Sequence, residues 1–157
     1  MKRILTIAAA AIIAASCSTS ELADTAATLD VVPHPAQVQM IKGTWNAKGA
    51  TISYGADLDE RSKNVIKKFA DQLSLVSGAN SKVTEGNGGK GFMFLLDKDM
   101  AHEAYSIVIS GKGVVVKASG LNGFNYAIQT IKQLLPVEIY GNAPTSGLNW
   151  EIPCMEI

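Results

Sequence analysis

Apolar residues recur along this chain at two periods, one helical and one of strands. In residues 58–76, Val65, Phe69, Leu73 and Val76 fall four, four and three apart, which puts them on one stripe of a helix. Lys63, Lys67, Lys68, Asp71 and Gln72 take the other side. Asp57, with Glu60 three residues on, resembles a capping box, and Gly78 suits the C-terminal stop. In residues 122–135, Phe124, Ile128, Ile131 and Leu135 form a second apolar face, joined by Ala127 and Leu134. Asn122 can accept from the unpaired first-turn amides, and Pro136 ends the helix because it lacks an N–H.

The strand period is clearest where Tyr105, Ile107 and Ile109 alternate with Ser106, Val108 and Ser110. Ser110-Gly111-Lys112-Gly113 supplies a turn and residues 114–118 return, so a hairpin is predicted. Residues 92–96 (FMFLL) carry aromatics on alternate positions and fit a well-buried strand. Residues 38–41, 51–54, 82–85 and 150–157 add short extended runs, with Gly43 and Gly49 marking turns. Pro33 and Pro35, spaced by one residue, bias residues 30–38 to extended chain. Strands, helix, strands with a hairpin, helix, strand is the resulting order. It predicts an α+β fold of two layers, a largely antiparallel sheet with two amphipathic helices on one face.

The first residues follow neither period. Lys2 and Arg3 precede an apolar run over residues 4–15, too short to span a bilayer and the length of a signal core. Ala14, Ala15 and Ser16 then lead into Cys17, and small residues before a cysteine resemble the lipobox of bacterial lipoproteins. Ala14 stands where such boxes usually have Leu, Val or Ile. The expected organisation is a lipoprotein-type signal peptide over residues 1–16, an acylated Cys17, a small, polar, flexible tether over residues 17–29, and a domain over residues 30–157. An ordinary signal peptide cleaved nearby is the alternative. Either exports the chain, and acylation would hold it to the lipid bilayer of the bacterial envelope.

The charge balance is zero, with 14 basic and 14 acidic residues. Nucleic-acid binding needs a basic excess to neutralise phosphates, so no nucleic-acid partner is expected. Gly86, Gly88 and Gly91 match G-x-G-x-x-G, but a strand pattern follows where a dinucleotide site needs a helix. A turn is expected there. Asp97, Asp99 and Glu103 cluster without the glycine and glutamate offsets of a calcium loop. His34 and His102 stand without a second ligand at metal spacing. Asp59-Glu60, the adjacent acidic pair, sits at a helix start, where negative charge complements the dipole. These readings leave no catalytic residue, no cofactor site and no metal site. The two cysteines, Cys17 and Cys154, are not expected to pair.

Four segments, taken in order, resemble the small N-terminal domain that precedes the catalytic barrel of family 20 glycoside hydrolases. They are Val32-Pro33-His34-Pro35, then Glu103-Ala104-Tyr105-Ser106-Ile107, then residues 123–135 (GFNYAIQTIKQLL), and Trp150-Glu151-Ile152-Pro153. The third resembles the pattern G-x-x-Y-A-x-Q-T-L-x-Q-L, with Ile131 in place of Leu. Tyr126, Gln129 and Gln133 share a polar helix edge, expected to meet the hairpin or the barrel.

The resemblance implies an accessory role in a β-N-acetylhexosaminidase acting on terminal β-linked N-acetylhexosamines of glycans. In that family the substrate's own acetamido oxygen attacks the anomeric carbon. A Glu protonates the leaving group and a neighbouring Asp orients the acetamide. Both lie on a barrel of about 250 residues, so no position here inherits them, and the catalytic barrel is the expected partner. The apolar run at residues 150–157 suggests a chain cut before that barrel. The residues also leave open a free-standing exported lipoprotein module that binds a glycan or a protein; the DNA beyond Ile157 discriminates between them.

Overall fold

The structure is a computed structural model that describes residues 29–86 and 88–157. Cys17, the signal segment and the tether up to residue 28 lie outside the described residues. The elements run β1 (Gln39–Asn46), β2 (Thr51–Tyr54), α1 (Glu60–Ser77), β3 (Val83–Glu85), β4 (Gly91–Leu96), β5 (Tyr105–Ser110), β6 (Gly113–Ala118), α2 (Leu121–Leu134), a short 3-10 helix (Val137–Tyr140) and β7 (Glu151–Glu156).

The strands form one seven-stranded sheet in the order β1-β7-β5-β6-β4-β2-β3. Antiparallel pairing joins β1, β7, β5 and β6. Parallel pairing joins β6, β4, β2 and β3. The expected two-layer α+β arrangement therefore forms, with the hairpin β5-β6 in the middle of the sheet, where its antiparallel half meets its parallel half. The parallel half arises because α1 carries the chain from β2 over to a strand of the same direction, as such crossovers do. The glycine-rich segment after β3 then returns the chain to β4, on the other side of β2.

The helices cover one face. Ile52, Phe92, Phe94, Ile107, Ile109, Val114 and Val116 are buried beneath them. Phe69 of α1 meets Phe92 edge-on at 5.2 Å, and Phe124 of α2 meets Phe94 at 6.1 Å. Ser53, Met93, Val115, Val108 and Glu156 align in register across the opposite face.

Several sequence expectations shift by a residue or two. In α1 the buried positions are Ser62, Ile66, Phe69, Ala70, Leu73, Val76 and Ser77. Ile66, not Val65, begins the stripe; both are apolar, and spacing alone does not choose between neighbours. The N-cap is Asp59 rather than Asp57, accepting from the amides of Arg61 at 2.9 Å and Ser62 at 3.1 Å. Gly78 closes the helix in the left-handed conformation, at φ 66°. In α2 Phe124, Ala127, Ile128 and Ile131 are buried as expected, but Gly120 stands at the N-cap. Asn122 lies inside the first turn and its amide donates to Glu103 at 3.2 Å. Gly43 marks no turn: it lies within β1, where the register against β7 shifts between Met40 and Thr44.

Candidate functional site

Catalysis of glycoside hydrolysis needs a carboxylic acid held protonated and poised at a cleft. The adjacent acidic pair is built the other way. The Ser62 hydroxyl donates to Asp59 at 2.7 Å, and the Ser62 and Arg61 amides donate as well. These bonds, the Ser62 hydroxyl first, hold the Asp59 carboxyl below its ordinary value of 3.8. Glu60 is exposed and pairs with Lys63 at 3.1 Å, and Lys63 reaches Glu85 at 3.4 Å. The Glu60 contact, ahead of the others, raises the Lys63 ammonium above its usual range. Asp59 is thus biased to the ionised form and works as a helix cap.

That bias has a stability consequence with a definite sign. A carboxyl whose folded value is depressed stabilises the fold above its unfolded value and loses that contribution as pH falls through the folded one. Asp59→Ala is therefore expected to cost about 0.5–2 kcal/mol at neutral pH. The difference from wild type should shrink below pH about 3.8. Urea unfolding at the two pH values checks it; a difference independent of pH would count against the cap.

The other sequence candidates fall on loops. Gly86 and Gly89 adopt φ 129° and 123°, and Gly91 opens strand β4, so the glycine-rich segment is a turn into a strand; Asn87 lies outside the described residues. Asp97 accepts from the Asp99 amide at 3.3 Å, and Glu103 holds Asn122. His34 bonds to the Pro35 carbonyl at 2.9 Å, and His102 is exposed, 3.9 Å from Glu103. Among the described residues no three His, Cys, Asp or Glu come together in a way that could hold a metal ion. Cys154 is a buried free thiol, pushed up by desolvation.

Three of the four motif segments, by contrast, meet at α2, through Val32, through Ala104 and Tyr105, and through the helix itself. Gly123 packs so closely that a Cβ there would stand 2.5 Å from the Ala104 carbonyl oxygen and 2.8 Å from the Ala118 Cβ. Only a glycine lets the helix start press onto the chain entering the hairpin. Two turns later, the buried Thr130 hydroxyl meets the Tyr105 hydroxyl at 2.8 Å. Gln133 bonds twice to the Val32 backbone, at 2.9 and 3.0 Å. The polar edge of α2 therefore divides. Thr130 turns to the hairpin, Gln133 to the N-terminal segment, and Tyr126 and Gln129 face outward. Spacing placed these residues on one helix; their partners, 25 and 101 residues away in sequence, carried no local signal.

Outside the core, α1 and α2 leave an open groove of about 600 Å³ between them, lined among others by Lys68, Gln72, Leu75, Asn125, Gln129 and Lys132. Gln72 reaches across to the carbonyls of Ile139 and Gly141 at 2.9 and 2.7 Å, tying the 3-10 helix to α1. Lys132 stacks over Tyr140 at 5.7 Å. Leu75, Tyr126, Val137 and Tyr140 are exposed large side chains of this helical layer. Asp71 is the carboxylate among the groove's lining residues.

Known proteins carry the same design. A family model described as glycosyl hydrolase family 20, domain 2, matches residues 28–157. The chain is similar in structure to the GH20 β-N-acetylhexosaminidase of Streptomyces coelicolor A3(2), with a TM-score of 0.71 and 24% identity over 81% of this chain and 25% of that one. It is similar to the N-acetyl-β-hexosaminidase of Streptomyces plicatus, with a TM-score of 0.68 and 25% identity over 81% and 25% of the two chains. The β-N-acetylhexosaminidase of Bacteroides fragilis NCTC 9343 matches with a TM-score of 0.60 and 19% identity, over 81% of this chain and 24% of that one. No sequence among the curated proteins matches. The chain spans about a quarter of the length of the solved enzymes it resembles. With three of its motif segments joined at α2 and a family model covering all the described residues, the chain belongs to glycosyl hydrolase family 20, as that family's N-terminal, non-catalytic α+β domain.

Proposed function

We propose that this domain serves as the accessory module of an exported β-N-acetylhexosaminidase that removes terminal β-linked N-acetylhexosamines from glycans. The observation that carries the reading is the match to family 20 over residues 28–157, together with the solved relatives, which are β-N-acetylhexosaminidases by name. In this reading the acid and the acetamide-orienting carboxylate belong to the catalytic barrel. The domain supplies a folded brace. Its proposed contact surface is the outer face of the helical layer. There Tyr126 and Gln129 belong to the family motif yet face outward in this chain. Burying Leu75, Tyr126, Val137 and Tyr140 against a partner would remove exposed apolar surface from water. The test is to join residues 18–157 to a family 20 barrel and measure the stability of the domain. Its unfolding midpoint should rise, and Tyr126→Ser with Gln129→Ser should abolish the rise; a midpoint indifferent to the barrel would reject the contact.

Localisation enters the same proposal. The charged start, apolar run and small residues before Cys17 support cleavage before Cys17 and acylation of it. The domain then stands at the bacterial envelope, tied to the lipid bilayer through residues 17–29. Cys17→Ala is expected to abolish labelling by a radiolabelled or clickable fatty acid and to move the protein from the membrane fraction to the soluble fraction. Labelling that persists in the variant would rule out this anchor.

A further inference from the structure

Gln133, in the last turn of α2, spends both ends of its side-chain amide on one distant residue. Its Oε1 accepts from the Val32 N–H at 2.9 Å, and its Nε2 donates to the Val32 carbonyl at 3.0 Å. This is the double exchange by which residues pair across antiparallel strands, made here by a side chain. The Val32 side chain itself is 80% exposed, whereas Val31 is 3% exposed and Pro35 is buried. Residues 29–38 thus lie along the body of the domain as a strap. Two side chains plug into it and one clamp sits between them. Strand β1 begins only at Gln39, so the strap is outside the sheet. Among the described residues its other hydrogen bonds are local, Val31 N–H to the Leu29 carbonyl and His34 to the Pro35 carbonyl.

We infer that Gln133 is a latch. Closed, it fixes where the N-terminal extension leaves the domain, beside the C-terminal end of α2. Open, it frees residues 29–38 while the sheet and both helices stay folded. The clamp's bonds lie at the surface, and opening exposes Val31 and Pro35 of the strap while the sheet and helices keep their own buried faces, as a locally opening segment does. Ten extended residues reach about 35 Å. On the proposed Cys17 anchor, and only for this consequence, opening would let the domain stand about that much further from the bilayer.

Hydrogen exchange on the full-length chain tests the latch without reference to acylation. Gln133→Ala removes the side chain. Gln133→Met keeps most of its volume and removes both hydrogen bonds. Both variants are expected to speed exchange in residues 29–38 by roughly 5- to 100-fold, as two lost hydrogen bonds imply, while peptides from β4 and β6 exchange as in wild type. Three results would overturn the latch. One is unchanged exchange in the strap of both variants. Another is a Met variant that behaves as wild type, which would assign the hold to packing. The last is an equal rise in the strap and in β4, which would make Gln133 a support of the whole fold.

Discussion

Gly91→Ala is expected to destabilise the domain by about 2–6 kcal/mol, a large share of the roughly 5–15 kcal/mol that holds a domain folded. The three parallel strands β2, β4 and β6 begin at one level, with Thr51, Gly91 and Gly113 side by side in register. A Cβ on Gly91 would stand 2.0 Å from the Thr51 carbonyl oxygen, and one on Gly113 would stand 2.4 Å from the Gly91 oxygen. Backbone is what each methyl would strike, so no rotamer change relieves the clash. Gly91 also has φ 138°, a conformation that side chains disfavour by about 1–3 kcal/mol. Forcing the strands apart adds about 1–3 kcal/mol. Gly88 provides the control: a Cβ there meets nothing within 4 Å, and Gly88→Ala should stay within about 0.5 kcal/mol of wild type. Urea unfolding of the two variants measures both. Equal midpoints for them would contradict the stacked-strand account.

Phe92→Ala should cost about 3–5 kcal/mol. Phe92 is 1% exposed at the meeting point of three elements. It takes Trp45 of β1 edge-on at 5.0 Å and Phe69 of α1 edge-on at 5.2 Å. Each such pair contributes about 0.5–1.5 kcal/mol beyond the area it buries. Truncation therefore leaves a cavity and removes two ring contacts together. It also loosens the ring environment of Trp45, so the near-ultraviolet circular dichroism of the folded variant should weaken. A loss under about 1 kcal/mol with an unchanged tryptophan signal would place Phe92 outside this cluster.

Phe92 also shows how far the sequence could be read. Its alternation with Phe94 identified a buried strand, because period two is written into neighbouring residues. The β5-β6 hairpin was legible for the same reason: its strands and its turn are contiguous, and Ser110 pairs Gly113 as the turn requires. The apolar face of α2 was legible because Phe124, Ile128 and Ile131 are set off by polar neighbours. The stripe of α1 came out rotated because Val65 and Ile66 are adjacent and equally apolar. The parallel pairing of β4 with β2 and β6 had no local mark, since its partners lie 40 positions apart in the first case and 22 in the second. Gly43 looked like a turn because a bulge and a turn ask the same of a glycine. The family motif was visible in α2, but its physical content was not. Gly123 against Ala104, Thr130 with Tyr105, and Gln133 with Val32 are contacts between segments that only the fold brings together.

Turnover of an aryl N-acetyl-β-glucosaminide by purified residues 18–157 tests the central claim, that this is the non-catalytic domain of a family 20 enzyme. The domain should fold, because both helices and the sheet bury their own apolar faces. It should show no hydrolysis above buffer, because Asp59 is held ionised as a helix cap and Glu60 is paired with Lys63. Joined in frame to a family 20 barrel, the same domain should accompany activity. Hydrolysis by the isolated domain that disappears in the Asp59→Asn, Glu60→Gln double variant would contradict the account.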